Sequence, residues 1–518
     1  MLLLGGAATV EALTGMDYRL ASFLIPWGII FYTASGGLQA TFLASYIHVV
    51  IIFAVLITMI FLVYVKEYSS DIMYDFLKAT VERNTTFCEK YFFDAAKGET
   101  FFVPGDYACG PVSGNKDGSY LTMSSSGGLM FGLINIVGNF GTVFVDQTYW
   151  QSAIAARPES AAKGYLLGGL CWFSIPFSLA TSLGLASTAL MLPISKSEAG
   201  AGLVPPAVAV EMLGNTGAAL ILVMLFMAIV STGSAEAIAV SSLVAYDIYR
   251  EYINPDATGE QILYVSRVVI VVFGLIMGCF ALLLYEIGVN LGWVYLFMGI
   301  IIGSAVCPLW NLMTWSKASG TGAVIAAWSG LVLAIVGWMV AAIIQSGDIT
   351  IDTLGTNEAM LAGNLIAIFS SGFIHFVYSA FIDPQDFDFS TLDSKLRLVE
   401  EDHRGLTEAE KDPHKLAKAE RWIVRRGYIL TLVLIVIWPL LSIPAGVFSK
   451  SYFAFWVLIA MCWGFGAAVL MTTLPLTESS DDINKVLSGA VNAMLGRQPP
   501  VPAGKADDDV TPDKEEEE

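Results

Sequence analysis

The chain has 518 residues, of which 55% are hydrophobic and 14% are charged, and its mean hydropathy is +0.66. This composition is typical of a polytopic helical membrane protein and excludes the soluble globular classes. The net charge of −19 is unevenly distributed. The highest density of acidic residues lies at the end of the segment 475–518. The composition of this segment is typical of a solvating tail. No P-loop, metal-ligand spacing, nucleophile motif or basic nucleic-acid surface is present, so the sequence predicts no enzyme, no cofactor and no nucleic-acid partner.

Twelve apolar stretches follow one another along the chain. The first, 1–14, lacks the basic leader and cleavage site of a signal peptide, and it looks like the end of a helix that begins upstream. The others are long enough to cross a bilayer, where about 20 residues suffice. They lie at 18–35, 41–65, 127–146, 164–192, 216–248, 262–285, 288–315, 320–345, 359–382, 427–447 and 452–474. The sequence therefore predicts an all-α fold with about 11–12 transmembrane helices, some tilted or kinked.

Basic residues orient these helices, because cytoplasmic loops are enriched in Lys and Arg. The segment 383–426 contains Lys395, Arg397, Arg404, Lys411, Lys415, Lys418, Arg421, Arg425 and Arg426. We therefore expect this segment and the tail in the cytoplasm, and alternation then places the 66–126 loop outside. That loop carries the sequon Asn84-Thr85-Thr86, which predicts glycosylation of Asn84 in a host that supplies it.

Two cysteines, Cys88 and Cys109, lie in this exterior loop, outside every predicted span. Extracellular loops are oxidising, so the pair predicts a disulfide. Closing a loop of about 20 residues would stabilise it by roughly 3 kcal/mol. Two free thiols in a mobile loop are the alternative.

The stretch 224–249 is long enough to span a membrane, yet it carries polar groups along its length. These are Ser231, Thr232, Ser234, Glu236, Ser241 and Ser242. Hydrocarbon cannot solvate such groups, so they should face a cavity, another helix or an ion. A hydroxyl can also bond the carbonyl one turn back and simply pack, whereas a carboxyl costs roughly 2.5–3.5 kcal/mol to insert. The stretch predicts a solute pathway or a wet helix interface.

Several motifs together resemble one family. They are Ala228-Ile-Val-Ser231-Thr232 followed by Asp247 to Asp256, Gly5 to Met16, Gly36 to Leu43, Ile136 to Gln147, and Ser234-Ala-Glu236. The chain is similar to the sodium/solute symporter family, and within it to the urea–proton symporters of plants, fungi and algae. The resemblance runs from the first residue to about 382 and more loosely beyond.

The resemblance implies a LeuT-type bundle, with ten core helices in two inverted five-helix repeats and broken helices at mid-membrane. On this interpretation the chain is N-terminally truncated and begins within the third core helix. The expected domains are a remainder of the first repeat (1–65), an extracellular loop (66–126), the second repeat (127–315), additional transmembrane helices (316–382), a charged cytoplasmic loop (383–426), two C-terminal transmembrane helices (427–474) and an acidic cytoplasmic tail (475–518).

The resemblance also implies an ion site. Ala228, Ser231 and Thr232 match the positions that bind the coupling sodium through one carbonyl and two hydroxyls, ligands that suit a hard cation; helix packing is the alternative. The family's acidic residue in the fifth core helix is replaced by Ser45, which puts ordinary sodium release in doubt. Glu236 offers a titratable group on the same helix as the hydroxyls, so H⁺ and Na⁺ both remain open as coupling ions.

For the substrate site, Asn139 matches a family binding position, and Thr142 stands where sugar-transporting relatives carry an aromatic residue, which argues against a sugar. Asp146 follows at the cytoplasmic end as a gate or proton-coupling candidate. The residues Asn135, Gly138, Asn139 and Gly141 favour a break in their helix. A Gly-rich face packed against another helix is the alternative.

The sequence thus predicts a secondary active transporter in the plasma membrane, in contact with lipid. It would take up urea or a similar small polar solute with H⁺ or Na⁺ by alternating access. The alternatives are a symporter for another small solute, such as an amino acid, and a non-transporting nutrient sensor that uses the charged loop and tail. His375 is expected to be a hydrogen-bonded histidine between helices, and the oligomeric state stays open.

Overall fold

A computed structural model describes residues 1–94, 99–156, 158–391 and 413–478. At 35–40, 42–43 and 158–160, among a few others, the backbone alone is described. About half of the predicted charged loop (392–412) and most of the acidic tail (479–518) lie outside these residues. By their contacts, residues Met1–Ala467 form one unit and Ala468–Glu518 form a second. The described part of the second unit is the end of the last helix, up to Glu478.

Helices make up most of the described chain. The α-helices are α1 (Leu2–Thr14), α2 (Tyr18–Phe61), α3 (Ser70–Thr80), α4 (Thr85–Tyr91), α5 (Ser126–Val145), α6 (Gln147–Ala155), α7 (Pro158–Leu179), α8 (Leu185–Ala189), α9 (Lys196–Gly200), α10 (Val204–Leu213), α11 (Asn215–Ser242), α12 (Gly259–Glu286), α13 (Leu291–Ile302), α14 (Val306–Thr314), α15 (Gly320–Ser346), α16 (Ile351–Leu354), α17 (Asn357–Val377), α18 (Pro413–Thr431), α19 (Trp438–Ser442) and α20 (Lys450–Glu478).

Several helices continue as π-helix, namely at Leu62–Glu67, Ala180–Gly184, Leu243–Ile253, Tyr378–Ile382 and Leu432–Ile437. Short 3₁₀ turns lie at Lys116–Gly118, Gly303–Ala305 and Phe389–Thr391. Two short strands, β1 (Phe93–Asp94) and β2 (Glu99–Thr100), pair antiparallel.

Ten helical segments among the described residues are long and apolar enough to cross a membrane. The twelve apolar stretches of the sequence reduce to this number for two reasons. The helix at Leu2–Thr14 is too short to be counted, and of the helix α2, which contains both predicted spans 18–35 and 41–65, only the part from Ala44 onward is counted. With 44 residues, α2 would measure about 66 Å if straight, roughly twice the hydrocarbon thickness. No proline lies between the two predicted spans, so nothing in the sequence forces the backbone to leave the helical conformation there.

The first half of α2 packs closely against α11 and α12 because two glycines remove the side chains between them. A Cβ on Gly233 would lie 2.4 Å from Ile29 Cδ1, and one on Gly274 would lie 2.4 Å from Ile30 Cδ1. Ile29 and its neighbours form a buried apolar cluster with Ile229 and Ile270. This contact fixes α2 against the polar stretch of α11, which is the element that carries the predicted ion site.

Helix α5 packs against α13 and α17, around Ile134, Ile300 and Met360, which are buried to 2% exposure or less. The break predicted within α5 is wrong, because the helix runs without interruption from Ser126 to Val145. Its glycines instead permit close packing: a Cβ on Gly141 would lie 2.6 Å from Ile302 Cγ1. Packing therefore overrides the weak helix propensity of this composition.

The nearest helical interruption lies on the partner of α5. Between α13 and α14 the chain forms the 3₁₀ turn Gly303–Ala305. A Cβ on Gly303 would lie 2.7 Å from Val137 Cγ1, so the turn contacts α5 directly. The change of helix type thus accompanies a side-chain contact with α5.

The segment 69–125 connects α2 to α5 outside the predicted spans. Cys88 and Cys109 are joined by a disulfide, with Cα atoms 6.1 Å apart. Next to the disulfide, Phe92 is buried among Phe102 and Tyr107. Asn84 is exposed and begins α4, where its Oδ1 accepts a hydrogen bond from the Phe87 N–H at 2.9 Å. Burial raises the pKa of the Tyr120 phenol in this segment.

Candidate functional site

Two serine hydroxyls meet where α2 crosses α11. Ser45 Oγ lies 3.2 Å from Ser231 Oγ, and the Tyr32 hydroxyl donates to the Val230 carbonyl at 3.2 Å. The Ser231 carbonyl in turn accepts a hydrogen bond from Ser234 Oγ at 2.9 Å. The structure therefore brings Ser45 together with one predicted ion ligand, although 186 residues separate them in the chain.

The three predicted ion ligands share one side of α11, since residues three and four apart are neighbours on a helix. Ala228 and Ser231 are half-buried, and Thr232 is more exposed. Thr232 opens onto a cavity of about 300 Å³, which Glu236 also lines together with apolar side chains of α1, α2 and α12. The described oxygens here are neutral hydroxyls and carbonyls, with Glu236 one turn beyond.

The Glu236 carboxyl faces α6. It interacts with the Asp146 carboxyl and lies near the Thr148 hydroxyl, which has no geometric hydrogen-bond partner among the described residues. Asp146 is also the N-cap of α6, because its Oδ1 accepts from the Thr148 N–H at 2.8 Å. A further contact between the same two helices joins Gln151 Nε2 to Ser242 Oγ at 3.1 Å. Two carboxyl groups separated by 90 positions in the chain are thus neighbours.

Two ionised carboxylates in contact repel each other, so one member of such a pair tends to hold a proton. The phenol of Tyr149, on α6, interacts electrostatically with both carboxyl groups. Burial raises its pKa, and the negative charges of Asp146 and Glu236 raise it further. The arrangement is suited to binding and releasing one proton.

The predicted substrate residues lie elsewhere. Asn139 is exposed on α5 and interacts with the Tyr295 hydroxyl of α13. The Thr142 hydroxyl donates to the Gly138 carbonyl at 3.0 Å and lies 3.3 Å from Met298 Sδ. The described hydrogen bonds of these two residues go to α5 and α13, and the structure does not bring them together with the predicted ion ligands on α11.

Two histidines differ in how they are bonded. His375 is fully buried; its Nε2 lies 3.1 Å from the Ser319 carbonyl and its Nδ1 lies 3.2 Å from Asn311 Nδ2. Both nitrogens thus have partners between helices, as expected. His48 lies one turn from Ser45 on α2, and its buried Nδ1 has no hydrogen-bond partner.

Sequence reasoning missed two residues of this region, Tyr32 and Thr148. Tyr32 joins α2 to α11, and Thr148 faces Glu236. The signal for the first was the pair Tyr32-Thr33 within an apolar stretch. The second had no signal, because its role depends on a contact between distant segments.

An all-α chain whose described residues include ten helical segments long and apolar enough to span a membrane, with polar groups between its helices, defines an integral membrane protein of the transporter type. The family model for the sodium:solute symporter family matches residues 2–330. The chain belongs to this family. The predicted fold class, an all-α polytopic bundle of the LeuT type, is thereby confirmed.

Three relatives have names that state a substrate. The chain is 51% identical over 492 residues to the urea-proton symporter DUR3 of Oryza sativa subsp. japonica. The alignment covers 94% of this chain and 66% of that protein. It is 38% identical to the probable urea active transporter 1 of Schizosaccharomyces pombe, over 96% of this chain and 73% of the relative. It is 32% identical to the urea active transporter of Saccharomyces cerevisiae, over 94% and 73%. The chain thus spans about two thirds of the rice relative and somewhat more of the yeast proteins.

Proposed function

We propose that this chain is a secondary active transporter of the plasma membrane that takes up urea together with a proton. The observation that carries the proposal is its 51% identity, over 94% of the chain, with a protein named as a urea–proton symporter. Urea is small, planar and neutral, and a site for it needs amide and hydroxyl partners rather than an ion pair.

Asn139 and Tyr295 offer such groups on adjacent helices. We assign them to substrate binding because an amide and a phenol can both donate to the urea carbonyl and accept from its N–H groups. Thr142 is turned toward the Gly138 carbonyl, and its role would be to fix the shape of α5 beside Asn139.

The crossing of α2 and α11 favours a proton over sodium. At the position where the family has an acidic residue, this chain has the Ser45 hydroxyl, 3.2 Å from Ser231 Oγ. A sodium ion bound by Ala228, Ser231 and Thr232 would have neutral ligands alone, and removing a carboxylate weakens the binding of a hard cation. Sodium coupling through these residues is the alternative.

The group that carries the proton would be the pair of Glu236 and Asp146. Its neighbours are the Thr148 hydroxyl and the Tyr149 phenol on α6, and Met1 lines the same cavity as Glu236. The described surroundings contain no Lys or Arg in contact with the pair, so no cation offsets the repulsion between the two carboxyls, and one of them would hold a proton. Either ion could drive uptake, because one charge moved through about 100 mV supplies roughly 2.3 kcal/mol.

The test is urea-evoked current from the full-length protein at fixed voltage. We expect current that survives replacement of sodium by choline and grows as the outside pH falls, because protons are then the limiting ion. Current that disappears with sodium at constant pH would contradict proton coupling and leave urea transport intact. Absence of urea-evoked current at correct surface expression would contradict urea as the substrate.

The orientation of the chain is tested separately. Epitope tags at position 115 and at the carboxyl end should report opposite sides of the membrane, since the first lies in the disulfide-bonded segment and the second follows the basic segment. On intact cells we expect antibody access to the first tag alone. Access to the carboxyl-terminal tag alone would reverse the topology.

A further inference from the structure

The helix that begins at Pro413 contacts α7 and leaves most of its surface exposed. Its apolar segment, Ala417–Ser442, is long enough to span the membrane, and none of the residues in its most apolar window is buried. Tyr428 and Ile435 are 75% and 62% exposed. An apolar helix surface of this length has to be covered by lipid. The amino-terminal part of this segment, up to Arg426, carries its charged residues and therefore lies at the boundary between the hydrocarbon and the headgroups.

Four exposed cations occupy this boundary on α18, namely Lys418, Arg421, Arg425 and Arg426. At about 100° per residue, these four and Trp422 fall within about 140° of the helix circumference. Glu420 lies on the opposite side. We call the five residues 418, 421, 422, 425 and 426 the basic stripe. The one-sided arrangement exceeds what a general excess of Lys and Arg in cytoplasmic loops requires.

Among the described residues, the basic stripe has no acidic partner in an ion pair. Arg421 Nε donates to the Ala417 carbonyl at 3.1 Å, and Arg426 Nη1 to the Trp422 carbonyl at 3.5 Å. The Arg426 guanidinium lies 4.1 Å from the centre of the Trp422 ring. These contacts hold two guanidinium groups along the helix and leave their remaining N–H groups free. Within the described residues, none of the four cations forms an ion pair.

We propose that the basic stripe binds the headgroups of anionic phospholipids in the leaflet that contains it. Guanidinium groups match phosphate oxygens in a bidentate arrangement. Tryptophan is enriched at the membrane interface. Clusters of basic residues next to a membrane span attract acidic lipids, by roughly fivefold per Lys or Arg. The apolar helix that follows brings the stripe to the headgroups, which favours lipid over a soluble anion.

The test compares two triple variants with the same change in charge. Lys418→Gln/Arg421→Gln/Arg425→Gln removes three cations from the basic stripe. Lys78→Gln/Lys90→Gln/Lys116→Gln removes three exposed cations from the segment 69–125. Each full chain is purified from bilayers of phosphatidylcholine with 20–30% phosphatidylglycerol, roughly the anionic fraction of an acidic leaflet, and the retained lipids are counted by mass spectrometry. We expect the ratio of phosphatidylglycerol to phosphatidylcholine to fall at least fivefold for the first variant and to stay unchanged for the second.

Equal ratios in the two triple variants would overturn the proposal. Two further experiments test whether something other than lipid binds the basic stripe. If inorganic phosphate at constant ionic strength removes the lipid preference, the stripe is a site for free anions. If the preference arises only after deletion of residues 507–518, the acidic tail is the occupant. Either result would overturn lipid binding. Thermal unfolding in pure phosphatidylcholine checks that the variants are folded.

Discussion

Two helix crossings in this protein both contain glycines at the contact, but one borders a cavity and the other is filled by apolar side chains. Where α2 crosses α11, Gly233 brings the backbones close, and hydroxyls and a carboxyl remain at the edge of a cavity. Where α5 meets α13, Gly138 and Gly141 also bring the helices close, and the contact is filled by Ile302 and its neighbours. Small residues in an apolar run therefore indicate close packing, and they do not by themselves indicate a solute site.

The titratable groups distinguish the two crossings. The α11 crossing includes Glu236, which has a second carboxyl beside it, whereas the α5 crossing has neutral partners such as Thr142. A cavity edge with a shared proton can change its charge during a cycle. A packed glycine face can change only by moving the helices apart. We therefore expect substitution of the titratable groups at the first crossing to alter ion coupling, and substitution of the packed glycines at the second to alter stability.

The largest effect is expected for Glu236→Gln. The amide keeps the shape of the side chain and cannot release a proton, so urea-evoked current should fall at least tenfold and lose its dependence on outside pH. The control Glu260→Gln alters an exposed acid at the start of α12 and should leave the current unchanged. An unaltered pH dependence in Glu236→Gln would remove this residue from the coupling mechanism.

Ser45→Asp should make the crossing of α2 and α11 bind sodium more strongly. It places a carboxylate beside Ser231, where opposite charges about 4 Å apart interact by several kcal/mol at an intermediate dielectric constant. We expect sodium to stimulate urea uptake at a concentration at least tenfold lower than in the unmodified protein. Ser45→Asn, with nearly the same shape and no charge, is the control. Sodium-independent uptake by the aspartate variant would show that cations do not bind at this crossing.

At the second crossing, Gly141→Ala should destabilise the protein. The added Cβ would lie 2.6 Å from Ile302 Cγ1, and overpacking typically costs about 1–3 kcal/mol. Gly132→Ala is a matched control on the same helix, because its Cβ would meet nothing within 4 Å; alanine there should raise stability by about 0.5–1 kcal/mol. Thermal unfolding of the purified variants measures both. A fall in melting temperature of equal size at the two positions would argue against the packing explanation.

The smallest effect is expected for Ser231→Ala. Under proton coupling, the variant loses the hydrogen bond to Ser45, with a net cost of about 0.5–1.5 kcal/mol in stability, and the pH for half-maximal current should shift little. Under sodium coupling, the loss of one oxygen ligand would raise the sodium requirement roughly tenfold. Uptake measured over a sodium series, at equal surface expression, distinguishes the two.

The membrane spans and the polar stretch of α11 were predictable because they depend on local composition. Continuity of the backbone was not. The weak helix formers of α5 suggested a break, but burial of Gly138 and Gly141 against α13 stabilises the helical conformation. The backbone helix also continues through the interval between 18–35 and 41–65, because a short interval with two glycines does not require a turn.

The contacts that surround the site residues could not be predicted from the sequence either. Glu236 and Asp146 were each selected as candidates, but their contact joins segments 90 positions apart and depends on how α6 docks on α11. The same holds for Ser45 and Ser231. A polar residue in a span can be recognised from one sequence, whereas the partner that completes its chemistry is set by tertiary packing.

Asn84 carries one further consequence. Its amide oxygen holds the first turn of α4, whereas a glycan would be attached through the amide nitrogen of the same side chain. The two uses do not compete, so the helix start would survive attachment of a sugar. Molecules from one preparation would then differ in mass on a gel and still fold the segment 69–125 identically.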